Sequence, residues 1–122
     1  MVRINYPRRL LLSFGVVNQV NLLNQIIVLI KQEERHHAGS FYLDDDGKRI
    51  GEMRYIIKGG VMNIYHTEVN HDLGGHKLGF QLVETGVKFA RENHLKILPT
   101  CSFAKSVFDR TPEFADVSVE ES

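Results

Sequence analysis

The hydrophobic pattern divides the chain into two halves. From residue 24 to 69 apolar residues cluster in short runs or alternate with polar ones, as in β-strands; from residue 77 they recur at helical spacing. NQIIVLIKQEE (24–34) is rich in Ile and Val and reads as a strand near a sheet edge. RHHAG is a turn. SFYLD (40–44) and KRIGEMRYIIK (48–58) flank DDG, a strong hairpin signal. Gly59 and Gly60 turn the chain into VMNIYHTEV (61–69). Strict alternation there puts Val61, Tyr65, Thr67 and Val69 on one face, with Met62, Ile64, His66 and Glu68 on the other.

Between Lys77 and His94, the stripe Leu78, Leu82, Val83, Val87, Ala90 predicts a helix that Asn93 or His94 closes. LKILP is a short buried strand and SFAKSVFDR a second helix. That helix ends at TP, because the residue before Pro112 disfavours helical backbone. Antiparallel strands followed by helix, strand and helix define an α+β sandwich, with the late strand lying beside residues 61–69. At the handover, HTEVNHDLGGHKLGFQLVE (66–84), a glycine pair stands where strand becomes helix. Bare backbone at a helix start suits contact with an anion.

The composition narrows the function classes. Fifteen basic and fifteen acidic side chains cancel, so no basic field exists to hold nucleic acid. No apolar run reaches the roughly 18 residues a membrane span needs. A single cysteine, Cys101, excludes an internal disulfide and suits a reducing, cytoplasmic compartment. Arg8, Arg9 and LLLSFGVV imitate a secretory signal but lead into Asn18, Gln19 and Asn21 without a small-residue cleavage site. Residues 1–24 are therefore expected to be a poorly ordered extension, and 25–122 the folded domain, a monomer or weak dimer.

Three residues carry candidate chemistry. Cys101 opens the short second helix, where a thiol is placed to act as nucleophile or local acid; the alternative is a small packing residue. His66 and Glu68 share a strand face near the glycine loop, and either side chain type can serve as general base. The alternative is a hydrogen-bonded surface pair. DDDG lacks the following Glu of a calcium loop, and the five-residue spacing of His66, His71 and His76 suits no helix face, so no metal site is expected.

Three stretches, FYLDDDGKRIGEMRY, HTEVNHDLGGHKLG and ILPTCSFAKSVFDRTPEF, together resemble the GNAT superfamily of N-acetyltransferases, and more narrowly its minimal single-domain members. The resemblance covers residues 28–117. It implies a central, mostly antiparallel sheet with a C-terminal half of strand, Gly loop, helix, strand and helix. It also implies acetyl-coenzyme A as cofactor, an amine acceptor on a small molecule or a protein, and Cys101 beside the thioester. His66 matches the family's His-Thr dipeptide and is the preferred base, with Glu68 beside it. Val69, Gly74, Gly75, His76, Lys77, Leu78 and Gly79 would hold coenzyme A.

The family loop runs from an Arg or Gln, through a central Gly, to a Gly or Ala. On this chain those positions are Gly74, Lys77 and Gly79, and only Gly79 matches. A charged hydrogen bond to phosphate is worth about 1.5–3 kcal/mol. A Lys held in a glycine conformation costs roughly 1–2 kcal/mol. Together these departures would weaken coenzyme A binding by orders of magnitude, unless Lys77 itself reaches the pyrophosphate. Two readings follow: an active N-acetyltransferase, or a coenzyme A-binding or interaction module whose altered loop has given up catalysis.

Overall fold

A computed structural model describes residues 14–22, 26–70 and 75–119. In chain order the elements are β1 (Phe14–Leu22), β2 (Ile26–Arg35), β3 (Ala38–Asp45), β4 (Lys48–Lys58) and β5 (Val61–Val69). Then follow α1 (Gly75–Glu92), β6 (Lys96–Pro99), α2 (Ser102–Arg110) and a 3-10 turn over Pro112–Val117. No helix among the described residues is long and apolar enough to cross a membrane.

Three two-residue turns set the register of the meander from β2 to β5. His36–His37, Asp46–Gly47 and Gly59–Gly60 all hold positive φ at both positions. That pair is what a type I′ turn requires, and its twist matches the strands on either side. The six strands lie in chain order, β6 parallel to β5 and all other neighbours antiparallel. Residues 14–22, expected in the extension, form β1, which pairs with β2 from Phe14↔Glu33 to Leu22↔Ile26. β2 is accordingly an inner strand. The rest of the expected extension, residues 1–13 and 23–24, lies outside the described residues.

The core lies on one face of the sheet. Ile30, Phe41, Leu43, Met53, Tyr55, Met62 and Ile64 are fully buried there against Leu78, Leu82, Val83, Val87 and Ala90 of α1. The helical stripe read from the sequence is thus the core stripe. Two aromatic groups complete it. Phe41, Tyr55 and Phe89 meet with centroids 5.5–6.0 Å apart under α1. Phe114 stacks on Phe80 at 5.9 Å and meets Phe108 edge-on at 5.7 Å, binding α1, α2 and the 3-10 turn together. The other face of the sheet is open and polar. Arg49 bridges Glu33 at 2.8 Å and Glu52 at 3.2 Å there, and covers the Tyr42 ring at 3.7 Å.

A bulge in β5 changes the expected faces. Arg54 pairs with His66 and Tyr55 with Ile64, so Tyr65 is an extra residue without an opposite partner. Beyond it the alternation inverts. Thr67 and Val69 join Met62 and Ile64 on the helix side, while His66 and Glu68 turn to the open face. Strict alternation failed because one inserted residue shifts every later side chain to the other side.

α1 ends in a Schellman motif in which the Leu95 amide donates to the Ala90 carbonyl at 2.8 Å and the His94 amide to Arg91 at 3.4 Å. His94 holds the left-handed position, φ 56°, usually given to glycine. His94→Gly is expected to stabilise the fold by about 1 kcal/mol, read as a raised chemical-denaturation midpoint.

Tyr55 generates a pH dependence. Its hydroxyl donates to Glu34 at 2.6 Å and accepts from Gln32 at 2.8 Å. Burial first, then the Glu34 charge, pushes the phenol well above its ordinary value. The folded state thus keeps the proton that the unfolded chain releases near pH 10, so stability is intact below that pH and falls as pH rises past it. Tyr55→Phe should remove this alkaline slope from the denaturation free energy.

Candidate active site

β6 is too short to accompany β5 along its length. It pairs only with Val61–Ile64. The Ile64 carbonyl then accepts from both the Thr100 amide at 2.9 Å and the Cys101 amide at 3.2 Å, and the chain turns into α2. Among the described residues no strand pairs with Tyr65–Val69 on that side. The two parallel strands part at this point, leaving a wedge with the bulge on one side and Cys101 at the apex.

Cys101 is the N-cap of α2, with extended backbone, φ −83° and ψ 146°. Its sulfur accepts the Ala104 amide at 3.4 Å and lies 3.4 Å from the Thr67 hydroxyl, where either atom can donate. The thiol is half-buried. On the opposite face of β5, His66 Nε2 stands 3.3 Å from Glu68 Oε1, both side chains exposed. The structure therefore brings Cys101 to Thr67 and His66 to Glu68, and separates the two pairs across the strand.

Glu68 also lies directly opposite Glu52 on β4. Arg49 at 3.2 Å and Arg54 at 2.9 Å neutralise Glu52. Partial burial pulls the Arg49 guanidinium down, but hydrogen bonding and charge from Glu33, aided by Glu52, outweigh this and hold it above its ordinary value. A cleft of about 610 Å³ opens beside this pair, lined by Gly51, Glu52, Glu68, Val69 and Asn70 among others. Val69 thus sits at the end of the strand, between the core and the cleft.

Gly74 and His71 lie outside the described residues. α1 begins at Gly75, so Gly75, His76, Lys77 and Leu78 hold the first-turn amides that lack helical partners. Lys77 is exposed in this turn, and its φ is not positive. The conformational cost expected of a Lys in place of glycine therefore does not arise. Leu78 is fully buried, leaving its backbone as the part available to a ligand. A Cβ on Gly79 would stand 2.6 and 2.8 Å from Phe103 ring atoms, so the glycine lets α1 and α2 approach. Thr67 was missed as a site residue because the bulge that redirects it leaves no local signal.

An α+β sheet with a splayed parallel pair, a helix start and a helix-capping thiol defines the class of the fold. Residues 40–117 match the model of the GCN5-related N-acetyl-transferase family. The chain also resembles the NMR solution structure of a GCN5-like protein from Staphylococcus aureus, with 33% identity and a TM-score of 0.58, over 75% of this chain and 89% of that one. No curated protein sequence gives a significant match. The chain belongs to the GCN5-related N-acetyltransferase family, the GNAT superfamily.

Gly79→Ala should lower stability by about 1–3 kcal/mol through the Phe103 clash, measurable by denaturation without any ligand. An unchanged midpoint would show that the Phe103 ring yields freely.

Proposed function

We propose that the protein is an acetyl-coenzyme A-dependent N-acetyltransferase acting on an amine of a small molecule or a protein. The observation that carries this reading is the wedge beyond Ile64, where an unpaired strand edge and a helix-capping thiol meet. The residues fit the cofactor. First-turn amides of α1 that lack helical partners, at Gly75 and just after Gly74 in the sequence, suit a pyrophosphate. The Tyr65–Val69 edge offers backbone partners to an amide-bearing arm, and Val69 closes its end. Lys77, exposed in the first turn, supplies the positive charge absent at Gly74.

Bound there, acetyl-coenzyme A supplies an acyl thioester. In the transfer a carbon–nitrogen bond forms and the carbon–sulfur bond breaks. Cys101 delivers its S–H proton to the departing sulfur. His66, oriented by Glu68, takes the proton that the amine nitrogen loses. The acceptor approaches from the open face, where His66 and Glu68 lie beside the cleft. The second reading, a module that binds without catalysis, rested on Gly74 and Lys77; the helical backbone of Lys77 removes half of its support.

Calorimetric titration with acetyl-coenzyme A, followed by an assay of acetyl transfer to amines, tests the proposal. Binding in the micromolar range with amine acetylation is expected; no heat at millimolar ligand would overturn it. Gly75→Asp should weaken binding at least about tenfold by setting a carboxylate against the pyrophosphate. Its thermal midpoint should hold, because Asp suits a first helical turn.

A further inference from the structure

We propose that Thr67 is a positioning residue for Cys101. Its hydroxyl donates to the Cys101 sulfur and, with the Ala104 amide, turns the S–H toward the unpaired edge of β5. The inference rests on the proposed transfer reaction for its purpose, but its geometry stands apart from it.

The first support is the exclusivity of the contact. Among the described residues the Thr67 hydroxyl bonds only the Cys101 sulfur, at 3.4 Å. Thr100, one residue before the cysteine, instead donates to Asn63 Oδ1 at 2.7 Å and lies 3.3 Å from the Ile64 carbonyl. Most side-chain hydrogen bonds in proteins go to backbone or water in this way. That of Thr67 does not.

The second support is the bulge. Were Tyr65 paired regularly instead of bulged, strict alternation from Ile64 would place His66 on the helix side and Thr67 on the open face. A bulge gives up ladder pairing. Here its effect is to exchange an imidazole for a hydroxyl beside the sulfur.

The third support is the directionality of sulfur. The Ala104 amide donates to the sulfur and the Thr67 hydroxyl lies 3.4 Å from it; in the proposed arrangement the hydroxyl donates too, so two lone-pair directions are taken and the S–H projects away from them. Both donors remain in place when the proton leaves, so the resulting thiolate keeps two partners. A proton donor needs this arrangement; a cysteine that only fills space does not.

Cys101 is the chain's one cysteine, so its alkylation by iodoacetamide reports this site alone. Thr67→Val keeps the shape and removes the hydroxyl; Thr67→Ser keeps the hydroxyl. Thr67→Val should slow alkylation several-fold at fixed pH, because the thiolate loses one of its two donors. It should also lower kcat for acetyl transfer on the order of tenfold, the worth of one hydrogen bond of about 1.4 kcal/mol. KM for acetyl-coenzyme A should stay within about twofold and the thermal midpoint should not fall. Thr67→Ser should restore both rates. Wild-type alkylation and kcat in Thr67→Val would overturn the assignment. So would a raised KM at unchanged kcat, which would mark Thr67 as a ligand contact. Slowed alkylation rescued by Ser, in a protein that transfers no acetyl group, would uphold the Thr67–Cys101 arrangement while sinking the proposed reaction.

Discussion

One carbonyl oxygen organises the functional half of the molecule. The Ile64 carbonyl accepts from two successive amides, those of Thr100 and Cys101. A continuing parallel strand would give it one and pass the next amide outward. Taking both ends β6 after Pro99, turns the chain, and leaves Cys101 extended at the head of α2. The rest of the site follows from that departure. β5 runs on for five residues without a parallel neighbour, and a helix start faces the exposed edge.

The bulge at Tyr65 gives this edge two different sides. On the helix side, Thr67 and Val69 continue the apolar and weakly polar lining of the core. On the open side, His66 and Glu68 join the charged face that Arg49, Glu52 and Arg54 have largely neutralised. The proposed acid, Cys101, and the proposed base, His66, are thereby held apart across a strand and cannot quench one another by direct contact.

Much of this architecture is legible in the sequence because it is local. Asp46–Gly47 and Gly59–Gly60 announce hairpins through their backbone preferences, and the stripe from Leu78 to Ala90 announces a helix with its buried side. Features settled by cross-strand partners are not legible in that way. The β5 bulge depends on how β4 pairs with it, and nothing in YHTEV marks an inserted residue. β1 was obscured because Arg8, Arg9 and LLLSFGVV imitate a leader, although Val16, Val17 and Val20 carry strand-forming content. Gly79 shows a subtler limit. A family loop pattern points to it as a ligand glycine, yet the ring of Phe103, far along the chain, occupies the space its side chain would need.

The unequal reach of the strand pairings carries a kinetic meaning. β2 to β5 are joined by two-residue turns, so each hairpin closes a small loop and can form early. β6 must instead cross the whole of α1 to find Val61–Ile64, and it gains only a four-residue ladder there. The meander is therefore the natural folding nucleus, with the wedge assembled upon it afterwards. The four-residue β5–β6 ladder is also the shortest in the sheet, so the proposed site hangs on its least extensive strand pairing.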